Sequence, residues 1–130
     1  MTLARTAVES SALIDSSGWL EYFADSPRAS LFAPPILKIE AVIVPTVVLY
    51  EVFKRLRAQV GSVIADDAAN FMQQGKLTGL DARLALTAAT HKLPFADSII
   101  YATALQHDAT LWTQDAHFDG LPGVKYFAKV

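Results

Sequence analysis

Short apolar runs alternate along this chain with longer segments of helical period, and few folds accept that alternation. Ser11–Asp15 reads as an apolar strand closing on Asp15, and Ala41–Val44, β-branched and apolar, as a buried one. Lys76–Leu80, Thr110–Thr113 and Val124–Phe127 read as three further short strands, with Ala116–Phe118 a turn. Between them, Gly18–Ala24 and Arg28–Ala33 read as short helices, the second ended by Pro34-Pro35. Thr46 reads as the N-cap of a longer helix that carries Val48, Val52, Leu56 and Val60 at helical spacing and stops at Gly61. Ser62 is the expected cap of the next helix, Asp81 that of an alanine-rich helix to Lys92, and Ala96–His107 forms another after Pro94. Strands alternating with helices predict an α/β fold of three layers: a mostly parallel central sheet of four to five strands, with helices on both faces. The functional edge of such a sheet lies beyond the carboxyl ends of its strands, and Asp15 and Asp115 fall there.

The 130 residues suit one domain, long enough to bury roughly 65–70% of its unfolded surface. Residues 1–10 lack the apolar core of a signal peptide and read as an N-terminal extension, disordered or a start-site artefact, ahead of a domain over residues 11–130. The longest apolar stretch, Ala41 to Phe53, is broken by Pro45, Thr46 and Glu51, short of the ~20 residues needed to span a bilayer. No membrane partner is expected, and the predicted location is cytoplasmic. Cysteine is absent, which excludes disulfides and thiolate metal sites. A net charge of −2 argues against nucleic-acid binding by bulk charge, although Lys54, Arg55 and Arg57 cluster on one segment as candidate contacts to a nucleic-acid backbone.

Four acidic residues stand where apolar elements begin, end or are interrupted: Asp15, Glu51, Asp97 and Asp115. Each also has an ordinary structural explanation. Asp15 follows Ala12-Leu13-Ile14 and could cap the next helix, unless Ser17 does so and frees it. Glu51 lies within an apolar run, where a charge is costly to bury unless paired or metal-bound; alternatively it pairs with Arg55 four residues on. Asp97 could cap its helix, but it shares a face with Ile100, Tyr101, Ala104 and Leu105. Asp115 alone is a plain strand-end turn residue, and Asp119 either joins the site or is a loop carboxylate. His91, His107 and His117 show no zinc spacing and read as surface or helix-end residues. Trp19, Tyr22, Phe23 and Phe71 read as core rather than as a base-stacking platform. Oxygen donors gathered at one sheet edge are how proteins hold hard divalent cations.

Four motifs in order, covering Leu13 to Phe127, resemble the PIN-domain family and within it the VapC-type toxins of toxin–antitoxin pairs. They are Leu-Ile-Asp-Ser-Ser-Gly-Trp-Leu-Glu-Tyr-Phe (13–23), Val-Pro-Thr-Val-Val-Leu-Tyr-Glu-Val (44–52), Leu-Pro-Phe-Ala-Asp-Ser-Ile-Ile-Tyr-Ala-Thr-Ala (93–104) and Leu-Trp-Thr-Gln-Asp-Ala-His-Phe (111–118). The resemblance implies that Asp15, Glu51, Asp97 and Asp115 take the family's catalytic and metal-binding carboxylate positions, with Ser17 and Thr113 as its site hydroxyls. It further implies a Mg2+- or Mn2+-dependent endoribonuclease, a homodimer and a VapB-type antitoxin partner. One departure is His117, where many relatives carry a second acid, with Asp119 a candidate substitute. The alternatives are a PIN nuclease of RNA processing with no antitoxin, and an RNA- or protein-binding PIN module with an idle site. A haloacid dehalogenase-type phosphatase needs an acid where Ser17 stands. A response-regulator receiver needs a paired acidic cluster after its first strand, which Asp15-Ser16-Ser17 does not supply.

Overall fold

The strand order of the sheet, β3-β2-β1-β4-β5, explains where the acidic residues meet. The computed structural model describes residues 11–129, and the extension expected over residues 1–10 lies outside them. The strands are β1 (Ala12–Ile14), β2 (Val42–Pro45), β3 (Lys76–Thr78), β4 (Thr110–Thr113) and β5 (Val124–Tyr126). The helices are α1 (Ser16–Phe23), α2 (Ala29–Ile36), α3 (Thr46–Val60), α4 (Ser62–Met72), α5 (Ala82–Ala88) and α6 (Phe95–Gln106). Every described strand pairing is parallel, with Leu13 of β1 opposite Ile43 on one side and Leu111 on the other. The predicted α/β architecture is therefore the observed one, with five strands and a wholly parallel sheet.

From β1 the chain steps outward to β2 and β3, then returns across the sheet to β4 and β5. Crossovers of one hand that travel in opposite directions place α1–α4 over one face and α5–α6 over the other. The direction of travel reverses between β1 and β4, and a crevice opens at the carboxyl ends of strands on either side of such a reversal. Leu13, Ile14, Val42, Val44 and Leu111 of the central strands are fully buried, and Trp19, Phe32, Ile36, Val48 and Val52 cover them. Trp19, Tyr22, Phe23 and Phe71 form one aromatic cluster between α1 and α4, the core role expected of them.

Several local expectations are corrected. Pro34 and Pro35 do not end α2 but lie inside its last turn. A proline in a helix interior costs about 3 kcal/mol. Phe32 and Ile36, four apart and fully buried, contribute about 1.5–3 kcal/mol each, and Ser30, whose carbonyl Pro34 leaves without its helical partner, is exposed to water. Thr46 and Ser62 are first residues of their helices rather than caps; Pro45 and Gly61 precede them in non-helical conformations. Asp81 caps α5 as expected, accepting from Leu84 N–H at 2.8 Å, but that helix ends at Ala88 instead of Lys92. Val60 is exposed although it sits on the spacing of Val48, Val52 and Leu56. Gly18 is required by close packing: a Cβ there would lie 2.6 Å from Ile14 Cγ2 and 2.7 Å from Phe32 Cδ1.

Candidate metal centre

Asp15 leaves the end of β1 and performs two tasks at once. As the N-cap of α1 it accepts from Gly18 N–H at 3.0 Å on Oδ1. Ser17 donates to the same oxygen at 2.9 Å, so Ser17 supports the cap and does not replace it. Oδ2 accepts from the Thr113 hydroxyl at 2.5 Å. Asp15 is 4% exposed and Thr113 is fully buried. Burial pushes the Asp15 carboxyl up to about 6, against the lowering effect of the Thr113, Gly18 and Ser17 hydrogen bonds, and the nearby charge of Asp115 adds to the rise.

Thr113 also ties the first carboxylate to the fourth, because its Oγ1 accepts Asp115 N–H at 2.9 Å. Asp115 opens the single turn Ala116–Phe118 and accepts His117 N–H at 2.9 Å on Oδ1. That turn brings the His117 ring back over the acids, with Nδ1 2.8 Å from Asp97 Oδ2 and 3.1 Å from Asp115 Oδ1. Asp97 sits in the first turn of α6, whose cap is Pro94, so the carboxylate is free of capping duty. Ile100, Tyr101 and Ala104 of its face are buried as expected, whereas Leu105 is exposed. Burial raises the Asp97 carboxyl, and the charges of Asp115 and Glu51 raise it further. His117 is held above its usual range, first by its hydrogen bond to Asp97 and then by the charge of Asp115.

Glu51, one turn into α3, accepts from the Ser16 hydroxyl at 2.5 Å. The alternative pairing with Arg55 does not form. Among the described residues the only ion pairs are those of His117 with Asp97 and Asp115, so no lysine or arginine neutralises the acids. The four carboxylates follow β1, sit in α3 and α6, and follow β4; the charge of Asp115 raises both Asp15 and Asp97, and that of Glu51 raises Asp97. Donor atoms of Asp97, Asp115 and His117 lie within 4.8 Å of one another. Carboxylates paired with no lysine or arginine, and with an imidazole at this spacing, suit a divalent cation, which would relieve their mutual repulsion. Asp119 is exposed and outside this group, while His117 is inside it.

Lys54, Arg55 and Arg57 are exposed on the later turns of α3, with Lys54 Nζ against the Tyr50 ring and hydroxyl. Three site features escaped the sequence. Ser16 on Glu51 and His117 on two acids both follow an aspartate by one or two positions, and the local turn at each aspartate was the available signal. The third is Gln114, 4% exposed between Thr113 and Asp115, which accepts from Arg28 Nε at 2.6 Å and donates to Glu21 Oε2 at 2.7 Å. Arg28 also donates to the Phe127 carbonyl at 3.0 Å. No spacing signal links residues so far apart. Beside Asp115 opens a groove of about 510 Å³ lined by Ser17, Gln114, Asp115, Ala116, Tyr126 and Lys129.

The family described as PIN domain matches residues 12–124. No curated protein matches the chain at a significant level. Among solved structures, a toxin–antitoxin complex from Klebsiella pneumoniae superimposes with a TM-score of 0.73 at 22% identity, over 88% of this chain and 96% of that one. VapC20 of Mycobacterium tuberculosis, a sarcin–ricin loop cleaving toxin, gives 0.70 at 21% identity, over 86% and 95%. VapBC2 from Rickettsia felis, bound to a DNA fragment from its promoter, gives 0.67 at 13% identity, over 90% and 97%. At these identities the structural likeness is one of fold.

Proposed function

Because this chain belongs to the PIN domain family, we propose that it is a divalent-metal-dependent endoribonuclease, the toxin of a VapBC-type toxin–antitoxin pair. The observation that carries the reading is the meeting of Asp15, Glu51, Asp97 and Asp115 at one sheet edge with no lysine or arginine paired to them among the described residues. Asp15, Asp97 and Asp115 are the residues that would hold Mg2+ or Mn2+. Glu51 either joins them or orients the attacking water, with the Ser16 hydroxyl fixing its carboxylate. Thr113 and Ser17 hold Asp15 in place, and Thr113 sets the backbone of Asp115.

When bound, the cation supplies positive charge to the phosphodiester and lowers the pKa of the attacking water. Attack of water on phosphorus with departure of the 3′ oxygen leaves a 5′-phosphate and a 3′-hydroxyl. The groove bordered by Tyr126 and Lys129 gives an RNA strand a path to Asp115, and Lys54, Arg55 and Arg57 are proposed as backbone contacts farther along α3.

Several exposed apolar side chains support a partner-covered surface. Phe95 is 77% exposed and Tyr50 60% exposed, at a groove of about 270 Å³ they share with Pro45, Val47 and Leu80. A second copy of the chain and a VapB-type antitoxin are the proposed partners, in the cytoplasm. No described helix is long and apolar enough to cross a membrane.

The test is cleavage of a structured RNA pool with Mg2+, Mn2+ or EDTA, beside Asp97→Asn. Cutting that needs metal, is lost in the variant and leaves 5′-phosphate ends supports the proposal. Cutting in EDTA, or cutting that survives the substitution, overturns it.

A further inference from the structure

We propose that His117 supplies a nitrogen ligand to the cation held by Asp97 and Asp115, and that the site therefore favours a first-row transition ion over Mg2+. This rests on the reading of the acidic cluster as a metal centre. His117 is the one imidazole in the cluster among the described residues. Its Nδ1 stands 2.8 Å from Asp97 Oδ2 and 3.1 Å from Asp115 Oδ1. Neighbouring ligands of an octahedral ion bound at about 2.1 Å lie about 3 Å apart. The ring nitrogen thus already has the separation from both carboxylate oxygens that two adjacent ligands would have.

The placement is built into the fold. His117 N–H is anchored to Asp115 Oδ1, and the fully buried Phe118 pins the same turn to the core. The side chain is 57% exposed, so the nitrogen closes one side of the site and leaves the solvent side open for water and a phosphodiester. Chemistry then sets the preference. Mg2+ takes oxygen ligands and gives up its water reluctantly, whereas neutral imidazole suits the softer first-row ions. An oxygen-only set of four carboxylates would discriminate less.

A competing role for His117 is a protonated counter-ion that neutralises Asp97 and Asp115 and leaves when a cation arrives. The two roles differ in whether the nitrogen bonds to the ion. The experiment is pulsed electron paramagnetic resonance of Mn2+ bound to the full chain and to His117→Gln, with Mn2+ and Mg2+ affinities measured by calorimetry on both proteins. Nitrogen coupling to Mn2+ in the wild type, absent in His117→Gln, with the Mn2+-over-Mg2+ preference falling about tenfold, is the expected result. Mn2+ bound without nitrogen coupling overturns the proposal and leaves the metal centre standing. Coupling that persists in His117→Gln also overturns it, because another nitrogen is then the ligand. No Mn2+ or Mg2+ binding to the folded wild type overturns this proposal and the metal centre together.

Discussion

Replacing Asp15 with asparagine should make the metal-free protein more stable at neutral pH, although it removes a group placed at the heart of the site. The Asp15 carboxyl ionises at about 6 instead of 3.8, mainly because it is buried. Between those two values the unfolded chain has already released the proton and the folded chain still holds it. Stability therefore falls as pH rises from about 4 to about 6 and stays low above that. At about 1.4 kcal/mol per pH unit, the penalty at neutral pH is about 3 kcal/mol. Asparagine caps helices as well as aspartate and carries no charge, so the Gly18 N–H keeps its acceptor. The exchange of one Thr113 hydrogen bond for a weaker one returns about 1 kcal/mol. The net gain for Asp15→Asn in EDTA at about pH 7.5 is then about 2 kcal/mol; near pH 3.5, where the charge penalty has vanished, the weaker Thr113 bond leaves the variant about 1 kcal/mol less stable than the wild type. Urea unfolding of both proteins across that range measures the difference. Added Mn2+ should restore the wild type by about 2.7 kcal/mol at a hundredfold excess over its dissociation constant, and the variant by about 1.4 kcal/mol or less if its affinity is tenfold weaker or more. An asparagine variant less stable than the wild type in EDTA at neutral pH would show that burial of the Asp15 charge carries no such penalty.

Gly18→Ala should destabilise the fold by about 1–3 kcal/mol, since its Cβ would meet Ile14 and Phe32 inside the core; an unchanged urea midpoint would count against that packing. Gln114→Leu strips the buried partner from Arg28 and Glu21 and should cost about 1–3 kcal/mol, read from the same unfolding curves. Reversing the charges of Lys54, Arg55 and Arg57 should weaken RNA binding and flatten its dependence on salt by about 0.7 for each phosphate no longer neutralised; an unchanged slope would return these residues to a solvated surface.

The sheet and most helices were legible because their apolar periods are strong, as in Ala41–Val44 and in Val48, Val52 and Leu56. The positions of the four acids were legible for the same reason: a carboxylate directly after a buried strand, or within an apolar helix, stands out against its surroundings. What could not be read was how one side chain serves two purposes. The position of Asp15 after β1 suits either a cap or a site residue, and Asp15 is a cap whose second oxygen faces Thr113. The choice of partner for Glu51 was equally hidden, because helical spacing offered Arg55 while the tertiary fold supplied Ser16. Pro34 and Pro35 signal a helix end in the sequence, yet the helix continues through them to bury Ile36 beside Phe32. His117 is exposed, as its place in the sequence suggests, but its inward-facing nitrogen depends on a turn that brings together residues twenty positions apart.

If carboxylates from four separate elements form one cation site, removing the charge of any one of them must weaken the ion's hold. Calorimetric titration of Mg2+ and Mn2+ into the wild type and into Asp15→Asn, Glu51→Gln, Asp97→Asn and Asp115→Asn decides the matter. Saturable binding in the wild type, weakened about tenfold or more by each single substitution in proteins that remain folded, is the predicted result. Binding that survives all four substitutions, or none in the wild type, would contradict it.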